Sequence, residues 1–150
     1  MADLITPQFV VLDLEAPDRN AATRRLAETL AQGGRVTNLD GFLADVTARE
    51  AQMPTGIEGR IGIPHARSAY VTEPTLGFGR SSQGVDYGAS DGPARLIFLI
   101  AAPDGAGGEH MNILAQLARK LINQQFKDSL LNAADAQAVV DIVNREVLGR

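Results

Sequence analysis

Arg95-Leu-Ile-Phe-Leu-Ile-Ala101 is apolar on consecutive residues instead of alternating ones. A strand covered on one face alternates with period two, whereas one covered on both faces reads as an unbroken apolar run, the pattern of a central strand in an α/β sheet. The stretch therefore predicts a sheet with helices on both of its faces. Further strands are expected at Ile61 to Pro64 and at Leu76-Gly-Phe78-Gly79, separated by turn-forming Gly, Asp, Ser and Pro. Phe9-Val-Val-Leu12 reads as a short β segment near the start.

Helical periodicity fills the remainder. Ala22, Leu26 and Leu30 recur at four-residue spacing behind a cap at Asp18 or Asn20, and Gly33-Gly34 stops that helix. A second helix is expected from Asn38 or Asp40, with Leu39, Phe42, Leu43 and Val46 on one face, running to Arg49-Glu50 before Pro54. From Glu109 the period returns: Ile113, Leu114, Leu117 and Leu121 share a face, on which His110 also falls and so is expected to point inward. Phe126, Leu130 and Leu131 suggest another helix, and Asp135 caps a last one carrying Val139, Val140, Ile142, Val143 and Val147. The expected fold class is α/β: one domain over residues 1–150, with a mixed, mostly parallel central sheet and helices on both faces.

Bulk composition removes several function classes. With 14 basic and 18 acidic residues the net charge is −4, and the scattered arginines form no basic stripe, so no nucleic-acid partner is expected. The cysteine count is zero, which excludes disulfides, thiolate metal sites and cysteine nucleophiles in this chain. No apolar run approaches the ~20 residues of a membrane span and no basic leader opens the sequence, so a cytoplasmic protein without direct membrane insertion is expected.

Only two histidines occur. His65 follows an apolar run and Pro64, whose fixed φ and missing amide end the run as a stiff edge, while Gly56, Gly59 and Gly62 let other backbone approach. A histidine has an ordinary pKa of ~6.5, so a neutral, nucleophilic imidazole is available near neutrality. His110 lies in Pro103-Asp-Gly-Ala-Gly-Gly-Glu-His110, where Gly105 to Gly108 follow the central strand and open a helix. Free amides there, Gly108 among them, favour an anion. Two histidines with no Asp/Glu set at ligand spacing argue against a metal, and no cofactor is expected. Gly56 to Gly62 precedes a strand and lacks the Gly-Lys-Ser/Thr ending of a P-loop, so close backbone packing is the better reading. Arg49 reads either as a helix C-terminal charge or as a guanidinium fork for phosphoryl oxygens, and spacing does not choose between them.

Arg49-Glu50, Thr55-Gly-Ile, Ile61-Gly-Ile-Pro-His65-Ala, Gly84-Val-Asp-Tyr, Asp91-Gly, Leu96 to Pro103, and His110 followed by Leu114, Leu117 and Ala118 together resemble the enzyme IIA domain of the fructose/mannitol class of the bacterial phosphoenolpyruvate-dependent sugar phosphotransferase system. The resemblance spans essentially the whole chain and is nearest the fructose branch. It implies a phosphotransferase component with a phosphohistidine intermediate: His65 accepts phosphate on its tele nitrogen from the phosphocarrier HPr and passes it to a cysteine of enzyme IIB. Under that reading His110, Arg49, Thr55 and nearby amides contact the phosphoryl oxygens, since such transfer needs mostly positioning and charge stabilisation. The sequence departs from the family at Glu58 and Gly62, where glycine-like and alanine residues are usual, and at Met111, where leucine is commoner. Glu58 is expected to add a carboxylate near the phosphate site. A regulatory phosphotransfer role in the nitrogen-related branch is the alternative, and a histidine-dependent hydrolase is a weaker third reading.

Overall fold

The computed structural model describes residues 3–104, 115–117, 119–121 and 123–147. Strands β1 (Val10–Val11), β2 (Gly56–Ile57), β3 (Ile61–Gly62), β4 (His65–Ser68), β5 (Thr75–Val85) and β6 (Ala94–Pro103) form one sheet in the order β1-β5-β6-β3-β2, with β4 also on β6. Helices α1 (Arg19–Gln32) and α2 (Leu39–Gln52) lie early in the chain, α3 (Gln124–Leu131) and α4 (Ala136–Glu146) late, and residues 115–117 and 119–120 are helical as well.

The apolar run at 95–101 is the body of β6, flanked by β5 on one side and by β3 and β4 on the other. Its two faces feed two cores. Leu96, Phe98 and Ile100 pack with Phe126 and Leu130 of α3 and with Val139, Val140 and Val143 of α4. Ile97, Leu99 and Ala101 pack with Ala22, Leu26 and Leu30 of α1 and with Phe42 and Val46 of α2. A strand so placed has no polar face to offer, which is why its sequence does not alternate. The sheet is mixed: β1/β5, β3/β6 and β4/β6 run parallel, while β2/β3 and the longest ladder, β5/β6, are antiparallel.

Each of α1 to α4 starts on an Asx cap. Asp18 accepts from the Ala21 amide at 2.8 Å, Asn38 from Gly41 at 2.9 Å, Asn123 from Phe126 at 3.0 Å and Asp135 from Ala138 at 2.8 Å. Each side-chain oxygen satisfies an amide that has no intrahelical acceptor, which fixes the first turn.

Apart from β2, a strand where only close backbone packing was expected, three elements differ from the sequence reading. Phe9 ends a 3₁₀ turn (Pro7–Phe9) instead of opening β1, because Pro7 sets a helical φ at the turn's first position. Strand β5 continues past Gly79 to Val85: Arg80 pairs with Leu96 and Val85 with Ala94, and the register shifts across Ser81 to Gly84 between them. The third concerns Pro64, which does not end its strand. Ile61 and Gly62 lie opposite Leu96 and Ile97, and His65 to Ser68 opposite Ile100 to Pro103, the same offset on both sides of the proline. Pro64 has no N–H to give β6, but its carbonyl accepts from the Ile100 amide at 3.0 Å, so the ladder misses one bond and resumes in register.

Candidate functional site

His65 opens β4 beside Ile100, on the sheet face that carries Phe98, Leu96 and the late helices, and its side chain is half-buried. Side chains alternate along the β3–β4 line, so Ile61, Ile63 and His65 share this face while Gly62, Pro64 and Ala66 take the opposite one. Leu117 and Leu121 belong to the same apolar cluster. His110 and Gly108, the sequence candidates on the segment leading to them, lie outside the described residues, as does Met111.

The imidazole is held by its own backbone. Nδ1 lies 2.8 Å from the carbonyl oxygen of Ile63, two residues earlier. A carbonyl can only accept, so in the neutral ring the bond places the proton on Nδ1 and leaves Nε2 with its lone pair free. Here Pro64 matters: its fixed φ turns the chain between the Ile63 carbonyl and the ring that donates to it.

How the Ile63 carbonyl comes to be available follows from the neighbouring strand. β2 and β3 pair antiparallel as Gly56↔Gly62 and Ile57↔Ile61, which puts Thr55 opposite Ile63. The Ile63 amide donates to the Thr55 carbonyl at 3.2 Å, as expected of a hydrogen-bonded pair. The return bond is diverted: the Thr55 amide donates instead to Glu50 Oε2 at 2.8 Å, and the Thr55 hydroxyl donates to Glu50 Oε1 at 2.6 Å. Both donors of Thr55 are thus committed to one carboxylate. The residue is buried, 5% exposed. Glu50 is in turn paired with Arg19 of α1 at 3.1 Å.

Arg49 lies on α2, which runs along β4 in the opposite sense: Asp45 accepts from the Ser68 hydroxyl at 2.6 Å at one end, and Thr55 pairs with Ile63 at the other. Arg49 falls between these anchors in sequence, on the helix that packs on the Ala66 face of the sheet. Its Nη1 donates to the carbonyl of Met53, the C-cap of α2, at 3.1 Å, so it serves as the helix-terminal cation that one reading anticipated. The bond uses one of five guanidinium N–H groups. Met53 itself is 65% exposed beside it.

Behind this lies a packing unit that sequence reasoning missed. Tyr87 is buried against the Gly56↔Gly62 pair: a Cβ on Gly56 would stand 2.7 Å from the Tyr87 carbonyl oxygen, and one on Gly62 2.7 Å from its ring carbon Cδ2. The close approach foreseen for these glycines is therefore by Tyr87, which leaves no room for a Cβ at either. The phenol shares a 2.9 Å hydrogen bond with Thr23. Burial pushes its pKa well above the usual tyrosine value, outweighing the opposing hydrogen bond with Thr23, while the Glu50 charge adds to the rise and Arg19 offsets it. Arg19, Thr23, Glu50 and Tyr87 line a cleft of about 160 Å³ between α1 and α2. Signals for this unit existed in Glu50 and Tyr87, but the pairing of residues 31 and 64 positions apart is not a local pattern.

Glu58 is exposed in the turn joining β2 to β3. The strand line carries that turn away from His65 by roughly 16 Å at ~3.3 Å per residue, so its carboxylate does not border the site. A larger depression of about 500 Å³, lined by Lys120, Asn123, Phe126 and Glu146 among others, includes none of the site residues. Among the described residues no helix is long and apolar enough to cross a membrane.

The family model described as "Phosphoenolpyruvate-dependent sugar phosphotransferase system, EIIA 2" matches residues 3–146. The chain is 37% identical over 142 residues to the "PTS system fructose-specific EIIA component" of Haloferax volcanii, covering 93% of this chain and 92% of that protein. It is 34% identical over 146 residues to the "PTS system fructose-specific EIIABC component" of Bacillus subtilis, covering 97% of this chain but only 23% of that longer protein. Among solved structures, nitrogen regulatory protein IIA-Ntr from Neisseria meningitidis superposes with a TM-score of 0.85 at 29% identity, over 93% of this chain and 96% of that one.

Proposed function

The chain belongs to the phosphoenolpyruvate-dependent sugar phosphotransferase system EIIA type 2 family, and from that premise we propose that it is a phosphoryl carrier with His65 as the phosphoryl acceptor. The observation that carries the reading is the Nδ1 bond to the Ile63 carbonyl, which leaves Nε2 as the free nucleophile. Nε2 attacks phosphorus on a phosphohistidine donor, HPr. The new N–P bond forms as the donor's breaks, and the electron pair of the broken bond returns to the donor ring. The His65 ring gains positive charge as it is phosphorylated, and the Nδ1–H bond to Ile63 stabilises that charge. The thiolate of an enzyme IIB cysteine then attacks the same phosphorus, and His65 Nε2 recovers its pair. None of these 150 residues is a cysteine, so that acceptor lies outside this domain.

Arg49 supports the charge on the phosphoryl oxygens with N–H groups beyond the one given to Met53, and His110 and the Gly108 amide are assigned the same role. Thr55 acts through its carbonyl. Met53, exposed beside Arg49, is the kind of apolar group a transient partner would cover, and both partners meet the domain in the cytoplasm. Fructose-type uptake is the favoured branch, because the relatives at 34–37% identity are fructose-specific components. The likeness to nitrogen regulatory protein IIA-Ntr keeps a regulatory role as the second reading. Which enzyme IIB takes the phosphate separates the two.

Incubation with phosphoenolpyruvate, enzyme I and HPr, followed by mass spectrometry, should place an acid-labile phosphate on His65 and none on a His65→Ala variant. Absence of that mark on the wild-type chain, under conditions that phosphorylate a control, overturns the reading. Unchanged transfer in His110→Ala would reduce that residue to packing.

A further inference from the structure

We propose that Glu50 is a positioning residue for His65, acting by withholding the Thr55 amide from the Ile63 carbonyl. In a hydrogen-bonded antiparallel pair the two residues exchange both N–H···O bonds. Thr55 and Ile63 exchange only one, from Ile63 to Thr55. The amide that would complete the exchange goes to Glu50 Oε2, and the Ile63 carbonyl accepts His65 Nδ1 instead. One carboxylate therefore keeps a second donor off the Ile63 carbonyl, and so favours the proton on Nδ1 of His65.

Glu50 is built for that task. Its two oxygens take three donors: the Thr55 hydroxyl on Oε1, and the Thr55 amide and Arg19 Nη1 on Oε2. The side chain is 11% exposed and sits on the last turns of α2, so it has little freedom to release Thr55. Arg19 reaches it from the first position of α1, tying the helix pair to the strand that bears the nucleophile. With the carboxylate gone, the Thr55 amide is left with the Ile63 carbonyl as its ladder partner. A carbonyl has two lone pairs, so His65 would share the acceptor instead of losing it, and the Nδ1–H tautomer would lose part of its preference.

This inference rests on His65 being the phosphoryl acceptor, but its central claim is readable without any donor. In the unphosphorylated wild-type chain, ¹⁵N shifts of the His65 ring should show the Nδ1–H tautomer, and in Glu50→Ala they should move toward Nε2–H. Transfer from phospho-HPr should fall roughly tenfold in kcat with KM for the donor unchanged, the size of effect expected from weakening one hydrogen bond that orients the base. Glu50→Gln, which keeps the volume and one acceptor oxygen, should lie between, and it carries the test if Glu50→Ala does not fold. An unchanged His65 tautomer in the folded variants, or a rise in KM with kcat preserved, overturns the inference. If instead the wild-type chain takes no phosphate while the tautomer responds to Glu50, the carrier reading fails and the positioning link stands.

Discussion

Gly62→Ala is expected to destabilise the fold. A Cβ added there stands 2.7 Å from Tyr87 Cδ2, 2.8 Å from Cγ and 3.2 Å from Cε2. Carbon atoms rest near 3.5 Å or more, so the ring must withdraw by about 0.8 Å. It has little room to do so: Tyr87 is 1% exposed, its backbone carbonyl is held by the Gly56 amide at 2.9 Å, and its hydroxyl is tied to Thr23 at 2.9 Å. Overpacking of this kind costs about 1–3 kcal/mol. Against it, replacing glycine where the backbone tolerates a side chain returns ~0.4–1 kcal/mol through the unfolded state. The net loss of about 1–2 kcal/mol corresponds to a melting temperature lower by roughly 2–8 °C in a domain of this size. Circular dichroism melts and urea titrations read it directly. In a Tyr87→Ala background the same change should cost nothing or stabilise, because the obstacle is gone. A wild-type-like or raised melting temperature for Gly62→Ala alone would refute the account of Gly62 as the seat of Tyr87.

Arg49→Ala should lower phosphoryl transfer about a hundredfold, the usual loss for one donor to developing charge, while Arg49→Lys recovers only part because the planar fork is absent. Stability should change by under about 1 kcal/mol, since the bond lost is the one to the Met53 carbonyl; transfer at the wild-type rate would leave Arg49 as a helix cap alone. Tyr87 should make the fold sensitive to alkali. Its folded pKa is raised above the ordinary 10.0, so its contribution is complete below that value and declines as pH rises past it, by up to ~1.4 kcal/mol per pH unit. Urea unfolding at a series of alkaline pH values should show that slope in the wild type and lose this component in Tyr87→Phe.

Much of the fold was legible because its signals are local. The unbroken apolar run at 96–101 announced a strand with two covered faces, and β6 has two cores on it. Asp18, Asn38 and Asp135 each precede an apolar period and each caps a helix, since a cap acts on amides two or three residues away. The reading failed where pairing overrode local preference. Polar Ser81 to Gln83 were carried into β5 between two residues that pair with β6, Arg80 and Val85, and Pro64 interrupted the β3–β4 line without ending it because only one of its two backbone groups is missing.

The sequence by itself determined which groups exist to do chemistry: two histidines, no cysteine, an arginine at the end of a helix, and a proline directly before His65. It also carried the family pattern, because motif order survives in one dimension. Only the tertiary structure decided how His65 is held. Which ring nitrogen is free depends on the Ile63 carbonyl, the carbonyl's availability depends on where the Thr55 amide goes, and that amide goes to a carboxylate on α2 locked by an arginine on α1. Hydrogen bonds are directional and short-ranged, so their partners are set by the approach of distant segments in space, and spacing along the chain does not encode that approach.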